Sequence, residues 1–276
     1  KHDKLKKIIY YDQAWLKIYD VPVLYFPKFF HPDPTVKKQS GFLMPSFENS
    51  TNIGTSLAFP YYHIINNNSD FTLKPRYFSN DKILLQSEYR NVTKNSKNIF
   101  DFSLFNEENS PSKSHFFSRS IKSLNLENFF ESELDLQVQL SSNDTYLKTY
   151  KLKSPIIKDT NLLTSSLSMN AYNGDTSLNL DFSSYENLSK VDSDRFEFVY
   201  PSYYISKILD TGERYEGNFT FITNGFVKNY DTNIFEKVAI NDLLFNSNPK
   251  ISNFGLKSNY NLLIKNVNAD STNSDK

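Results

Sequence analysis

The side chains that most often carry catalysis or hold metal ions are few and scattered in this chain. It contains no cysteine, which excludes a disulfide, a thiolate metal site and a thiol nucleophile within these 276 residues. The four histidines have no spacing that would gather them around a metal ion; they are His2, His31, His63 and His115. We therefore expect each histidine to be structural or solvated.

Carboxylates are also spread out, and neighbouring pairs such as Glu107 with Glu108 and Asp192 with Asp194 fall in segments that we interpret as loops. A glycosidase needs two opposed carboxyl groups, and the sequence does not nominate such a pair. Serine and threonine are too numerous for one to stand out as a nucleophile without a neighbouring base. No catalytic residue, metal ligand or cofactor is predicted, and we do not expect an enzyme.

Two prolines, Pro45 and Pro60, have the most informative placement. They lie in two extended segments, 41–47 and 55–63, which the polar run 48–52 joins in the pattern of a β-hairpin. Proline has no N–H to give to a sheet, so it is normally confined to edges, bulges or strand ends. Either each proline marks a strand end or bulge, or the two together make a weak place in a sheet.

Alternation of apolar and polar residues predicts strands along most of the chain. In the clearest case, Leu134, Leu136, Val138 and Leu140 point to one face, and the residues between them, Asp135, Gln137 and Gln139, point to the other. Such segments recur about every fifteen to twenty residues and number about thirteen strands in all. After the hairpin they are 71–77, 85–89, 99–105, 116–126, 130–140, 163–172, 177–183, 195–205, 217–228 and 254–267. Asn173, Gly174 and Asp175 form a hairpin turn signal.

The composition suits a sheet with one apolar and one wet face. The formal net charge is zero, which argues against a nucleic-acid partner. Only 38% of the residues are hydrophobic, yet 16% are aromatic. No run of about eighteen apolar residues is present, so no transmembrane helix is predicted. Membrane β-barrels combine alternating strands with girdles of aromatic residues.

Several runs in the first third of the chain together resemble one known family. They are VPVLYFP (21–27), HPDP (31–34), SGFLMPSF (40–47), FPYY (59–62), DFTLKPRY (70–77) and EYR (88–90). In this order and spacing they resemble the LptD family of LPS-assembly proteins, also called organic solvent tolerance proteins. The close resemblance covers roughly residues 15–90, and beyond it only the strand rhythm agrees.

The resemblance implies an all-β chain in two parts. Residues 1–35 would be the C-terminal end of a periplasmic β-jelly roll with its linker, and 36–276 the N-terminal part of a large antiparallel outer-membrane β-barrel. About half of such a barrel would be present, and an open sheet edge cannot lie in lipid. Because we find neither a secretory signal at the start nor a terminal aromatic strand at the end, we expect a segment of a longer polypeptide. Disulfides are common in the family, so either this lineage does without them or they lie outside this segment.

By the same resemblance, the function would be transport of lipopolysaccharide and its insertion into the outer leaflet through a laterally opening barrel. Pro45 and Pro60 match prolines thought to weaken this lateral gate. The residues expected beside the gate are Gly41, Phe42, Leu43, Met44, Tyr61 and Tyr62. Pro75 and Pro201 do not share the placement and are expected at strand ends or bulges. The implied partners are an LptE-like lipoprotein plug, an LptA-like periplasmic bridge, lipopolysaccharide and outer-membrane lipid.

Two other functions are compatible with the strand pattern. A passive porin or nutrient-receptor barrel would show a loop that constricts the lumen, or a plug domain with an energy-coupling box, and the sequence shows none of these. A soluble β-rich glycan-binding or adhesion protein would bury its outward positions, such as Leu134, Leu136 and Val138, against a second sheet.

Overall fold

The computed structural model describes residues 2–3, 8–18, 20–36, 38–50, 53–79, 82–106, 111–211, 216–231 and 233–273. The first strands form a sheet of their own in the order β1-β2-β3, with β1 at His2–Asp3, β2 at Ile8–Ile18 and β3 at Val21–Pro32. All pairs in it are antiparallel. The rings of Trp15 and Tyr25 lie on facing positions of β2 and β3, with centroids 4.7 Å apart.

A second, 15-stranded antiparallel sheet contains most of the remaining residues. Its strands are β4 (Gly41–Phe42), β5 (Ser46–Ser50), β6 (Gly54–Ala58), β7 (Tyr61–Asn66), β8 (Ser69–Phe78), β9 (Ile83–Val92), β10 (Ser96–Asn106), β11 (Lys113–Ser123), β12 (Glu131–Ser141), β13 (Leu162–Tyr172), β14 (Thr176–Asn187), β15 (Phe196–Asp210), β16 (Gly217–Tyr230), β17 (Ile234–Ser247) and β20 (Asn261–Thr272). A separate two-stranded hairpin, β18 (Lys250–Ile251) and β19 (Lys257–Ser258), precedes β20.

The large sheet is a meander in which strands pair with their neighbours in sequence. From β8 to β16 every strand pairs with the one before and the one after it; β8 also pairs with β6, and β17 pairs with β16 and β20. The two ends of the order are β5 and β20, and each has one neighbour among the described strands. The large antiparallel sheet that we predicted is therefore confirmed, and its two edges do not meet.

Most of the predicted strands are present, and one strand of the structure was not predicted. The hairpin signal at Asn173 to Asp175 is confirmed, because β13 and β14 flank it and Gly174 has φ +83°. We failed to predict β17, in which the apolar runs 238–240 and 243–245 break the alternation. The last strand, β20, begins at Asn261, later than predicted.

The two faces of the large sheet differ in chemistry. On β10, Asp101, Ser103 and Phe105 are at most 1% exposed and define what we call the inner face. The residues between them define the outer face, where Phe102 is 40% and Leu104 52% exposed. Large apolar side chains of this face stay exposed on neighbouring strands, for example Phe116 and Leu140, so no described strand covers them.

Strand β12 shows the alternation that we predicted for it. Leu136 and Leu140 are 42% and 53% exposed, whereas Gln139 is 4% exposed. The exposed leucines argue against the soluble sandwich, which requires them to be buried.

Most of the buried apolar residues form one cluster with a loop that folds onto the inner face. This inner loop, residues 142–161, joins β12 to β13 and contains the one-turn helix α1 (Tyr146–Thr149). No helix among the described residues has the length and apolar character needed to cross a membrane. The core unites side chains of the strands and of the inner loop, together with Leu188 just after β14; its other members are Phe78, Leu84, Phe105, Phe117 and Leu163 with Tyr146, Leu147, Tyr150, Leu152 and Ile156. Burial of each large apolar side chain contributes roughly 1.5–3 kcal/mol, which holds the loop on the sheet.

Candidate functional site: a sheet edge interrupted by prolines

Both arms of the predicted hairpin are present, and both are broken at their prolines. The first arm divides into β4 and β5 on either side of 43–45, and the second divides into β6 and β7 on either side of Phe59 and Pro60. We were therefore wrong to treat each arm as one continuous strand. Three residues of the first arm face two of the second, because Phe42 pairs with Tyr61 but Ser46 pairs with Ala58. An extra residue in one strand is a bulge.

Backbone hydrogen bonding across the break is one-sided. The N–H of Leu43 donates to the carbonyl oxygen of Pro60 at 2.8 Å. Pro60 has no N–H with which to donate in return. The prolines therefore lie at strand ends beside a bulge, as one of the two interpretations predicts, and they lower the number of donors at the sheet edge.

A third proline lies level with this break on the next strand. Ala58 pairs with Arg76 and Tyr61 pairs with Leu73, so the break faces Pro75 inside β8. The N–H of Phe59 donates to the carbonyl of Pro75 at 3.1 Å, and again no donor returns. Our expectation of a strand end or bulge at Pro75 was wrong. The second proline of that expectation, Pro201, lies at a bulge in β15, where it was predicted.

The residues predicted beside the gate lie together at this edge. Gly41 and Phe42 form β4 and pair with Tyr62 and Tyr61 of β7. The Phe42 and Tyr61 rings meet edge to face, with centroids 5.1 Å apart. Phe42 is 79% exposed and Met44 74% exposed. The edge therefore presents large apolar side chains that no described residue covers.

An ion-pair cluster fixes the chain where it enters the large sheet. The buried carboxylate of Asp70 on β8 accepts hydrogen bonds from Lys38 Nζ at 3.0 Å and Arg90 Nε at 2.6 Å. Arg90 also pairs with Glu88 at 3.2 Å. A cavity of about 830 Å³ lies beside the cluster and is lined in part by Lys94. These contacts hold the segment before β4 against the inner side of β8 and β9.

Arg76 joins the edge strands to the inner loop. Its Nε donates to Ser56 Oγ on β6 at 3.1 Å, and its Nη2 pairs with the Glu48 carboxylate on β5. Its Nη1 donates to the backbone carbonyl of Tyr150 in the inner loop. Sequence reasoning missed Arg76, because its partners lie far away in the chain. In the sequence, the aromatic and aliphatic residues of the inner loop were the one indication that this loop packs against the sheet.

A buried Ser–His–Asp arrangement lies under the inner loop. His115 Nδ1 is 2.6 Å from Ser103 Oγ, and His115 Nε2 is 3.3 Å from Asp101. The Tyr146 hydroxyl lies 2.7 Å from Ser103 Oγ. Burial raises the pKa of Tyr146 to about 12, so the phenol stays neutral. Ser103 and Asp101 are 0% exposed, which leaves a substrate no access, and the network is structural.

One of the other candidates for chemistry, His63, lies on a strand of this edge, and its ring stacks on that of Tyr61 with centroids 6.4 Å apart. His63 lies exposed on β7, and the His2 and His31 side chains fall outside the described residues, as do Glu107 and Glu108. Asp192 and Asp194 lie in a short 3-10 helix between β14 and β15, in a loop as predicted. Within the described ranges, no three His, Asp or Glu residues come close enough to hold a metal ion.

Comparisons with known proteins identify related sequences. A sequence model of the family described as LptD protein matches residues 9–207. The LPS-assembly protein LptD of Pseudomonas entomophila (strain L48) is 40% identical over 98 residues, which is 36% of this chain and 10% of that protein. The LPS-assembly protein LptD of Pseudomonas aeruginosa (strain UCBPP-PA14) is 37% identical over 95 residues, 34% of this chain and 10% of that protein.

The chain thus matches about a tenth of the length of these curated relatives. The family model extends over well over half of the chain, from β2 into β15. The predicted resemblance is therefore confirmed, and the chain belongs to the LptD protein family.

Proposed function

We propose that this chain forms part of an outer-membrane barrel wall that inserts lipopolysaccharide into the outer leaflet. The wall would open sideways at the edge formed by β4 to β7. The observation that carries the proposal is the row of Pro45, Pro60 and Pro75 at one edge of a sheet with an apolar and a polar face. Family membership supports the same function, because the matched relatives are LPS-assembly proteins.

The outer face supports contact with hydrocarbon. Neighbouring strands expose large apolar residues there, including Phe102, Phe116, Leu136, Leu167 and Phe182. Water in contact with so extended an apolar surface is unfavourable. Lipid would cover the same surface without this cost.

The inner face supports passage of the polar part of a glycolipid. It carries hydrogen-bonding and charged groups such as Gln86, Asp101 and the ion pair of Arg119 with Asp135 at 2.7 Å. An amphipathic lipid needs a wet path for its sugars and an apolar exit for its acyl chains. A wall that opens at one edge provides both.

The proline row supports opening at this edge. A ladder hydrogen bond contributes about 0.5–1.5 kcal/mol net. Each proline removes one donor from the sheet, so separation of the first strands loses fewer bonds than separation of unbroken strands such as β10 and β11.

The inner loop packs on the inner face, which is where a passive porin would carry its constricting loop. Family membership and the proline row favour lipid transport over that alternative. No reaction is catalysed in this scheme and no cofactor takes part.

We assign residues 1–35 to the end of a periplasmic jelly roll and 36–276 to the barrel. Strand β3 is an edge of the small sheet, and an exposed edge accepts a further strand. Partners of the LptA and LptE types would then meet the small sheet and the inner face respectively.

Restoring the missing donors tests the proposal. In the native protein in its outer membrane, Pro45→Ala together with Pro60→Ala should slow the appearance of new lipopolysaccharide at the cell surface several-fold. The amount of folded protein should stay the same. Pro249→Ala, in the turn after β17, is the matched control and should have no effect. Unchanged delivery in the double variant would rule out this edge as the gate.

A further inference from the structure

The side chain of Arg76 replaces backbone bonding at the place where the prolines remove it. Arg76 follows Pro75 on β8, and its Cα partner is Ala58, just before the break at Phe59 and Pro60. From there the guanidinium reaches across β6 to Glu48 on the edge strand β5. Side-chain bonds thus connect three strands next to the row of prolines.

The contacts of Arg76 differ in how easily water reaches them. Arg76 and Ser56 are 9% and 3% exposed, so their bond is shielded. The Glu48 side chain is 34% exposed and lies on the outermost strand. When β5 moves away, the ion pair with Glu48 is therefore the contact that breaks, while the bonds to Ser56 and Tyr150 stay on the β8 side.

We propose that Arg76 is a latch that holds the edge strand β5 closed against the wall. Because the same guanidinium binds the Tyr150 carbonyl, it also links the inner loop to the edge. The inference rests on the proposed opening at β4 to β7 and names the residue that sets the stability of the closed state. Arg76 acts as a positioning residue, since it holds two elements in place and transforms no substrate.

Hydrogen exchange of the native protein in detergent, without lipopolysaccharide, tests the latch. Glu48→Gln removes the charge of the partner and leaves Arg76 on Ser56 and the inner loop. We expect the β5 amides to exchange about tenfold faster, equivalent to about 1.4 kcal/mol. The amides of the inner loop should not change in this variant.

Arg76→Gln separates the two roles of the guanidinium. It should accelerate exchange in β5 as Glu48→Gln does, and also in residues 146–152 of the inner loop. Combining Glu48→Gln with Arg76→Gln should not accelerate the exchange of the β5 amides further, because both changes break the same ion pair. Arg119→Gln is the matched control: it breaks an ion pair between β11 and β12 on the same face and should leave β5 exchange unchanged.

The outcomes distinguish the latch from the proposed function. The latch would be overturned if the β5 amides exchange at the wild-type rate in both Glu48→Gln and Arg76→Gln. It would also be overturned if Arg119→Gln accelerates their exchange equally. Either result would count against the latch even if the proline variants slow lipid delivery. Faster β5 exchange with lipid delivery unaffected by the proline variants would keep the latch and remove the lateral-opening function.

Discussion

At the scale of single residues, the decisive contacts join positions that are remote in the chain. Arg76 lies 28 residues from Glu48 and 74 from Tyr150. A local sequence pattern does not predict contacts between remote residues. The sequence therefore indicated the prolines as candidate site residues, but not Arg76. Proline acts through its own missing N–H, so its effect is visible in sequence. An arginine acquires its role only from the fold that surrounds it.

Tyr150 offers a test of how the inner loop is held. Its ring packs against Phe105 at 4.4 Å and Phe78 at 5.7 Å, and it is 5% exposed. Tyr150→Ala should weaken the docking of the loop by about 3–5 kcal/mol, as removal of a buried aromatic ring usually does. Limited proteolysis should then cut within 142–161.

Tyr146→Phe is the milder companion variant. It keeps the ring and removes one hydroxyl, so we expect a loss of only about 1 kcal/mol. Equal resistance of the wild-type and Tyr150→Ala loops to protease would show that other contacts hold the loop.

At the scale of strands, alternation predicted most of the wall, since a half-buried strand must place unlike residues on its two faces. The prediction from alternation was wrong in segments that do not meet this condition. In β17 the apolar runs remove the contrast between faces, and in the hairpin arms the prolines divide what the pattern joins. Pro75 could not be assigned from sequence, because its level relative to Pro60 depends on the register between β7 and β8.

Neighbouring residues on β12 test which face meets lipid. Leu136→Lys puts a charge on the outer face and should cost roughly 2–4 kcal/mol if that position lies near the middle of a bilayer. Gln137→Lys, one residue further on the inner face, should cost much less. The loss of stability in each variant is measured by gel electrophoresis of unheated membrane samples, as the fraction of the protein that stays folded. Equal losses in the two variants would contradict the assignment of faces.

At the scale of the whole molecule, the sequence was sufficient to identify an all-β wall and its family, but not the inner loop that fills part of its inner side. The alternation of strands constrains the order of the wall, whereas a long connection is free to leave the sheet or to return to it. Only the tertiary contacts of 142–161 decide between these, and they involve strands from β8 to β13.

The exposed outer face and the two separate edges predict how the 276-residue chain behaves alone. Expressed without further sequence, it should partition into membranes or detergent and associate through its edges in buffer. Fractionation followed by size-exclusion chromatography measures this. A monomer that is stable without detergent would support the soluble alternative.

The order of the meander also bears on how the wall is built. Strands β8 to β17 each pair with a neighbour in sequence. Their contacts join residues close in the chain, so these strands can pair early in folding. The arms that contain Pro45 and Pro60 gain the least from pairing, and we expect them to join last. In the proposed barrel, a partner that occupies the inner side would therefore have access to it until this final step of assembly.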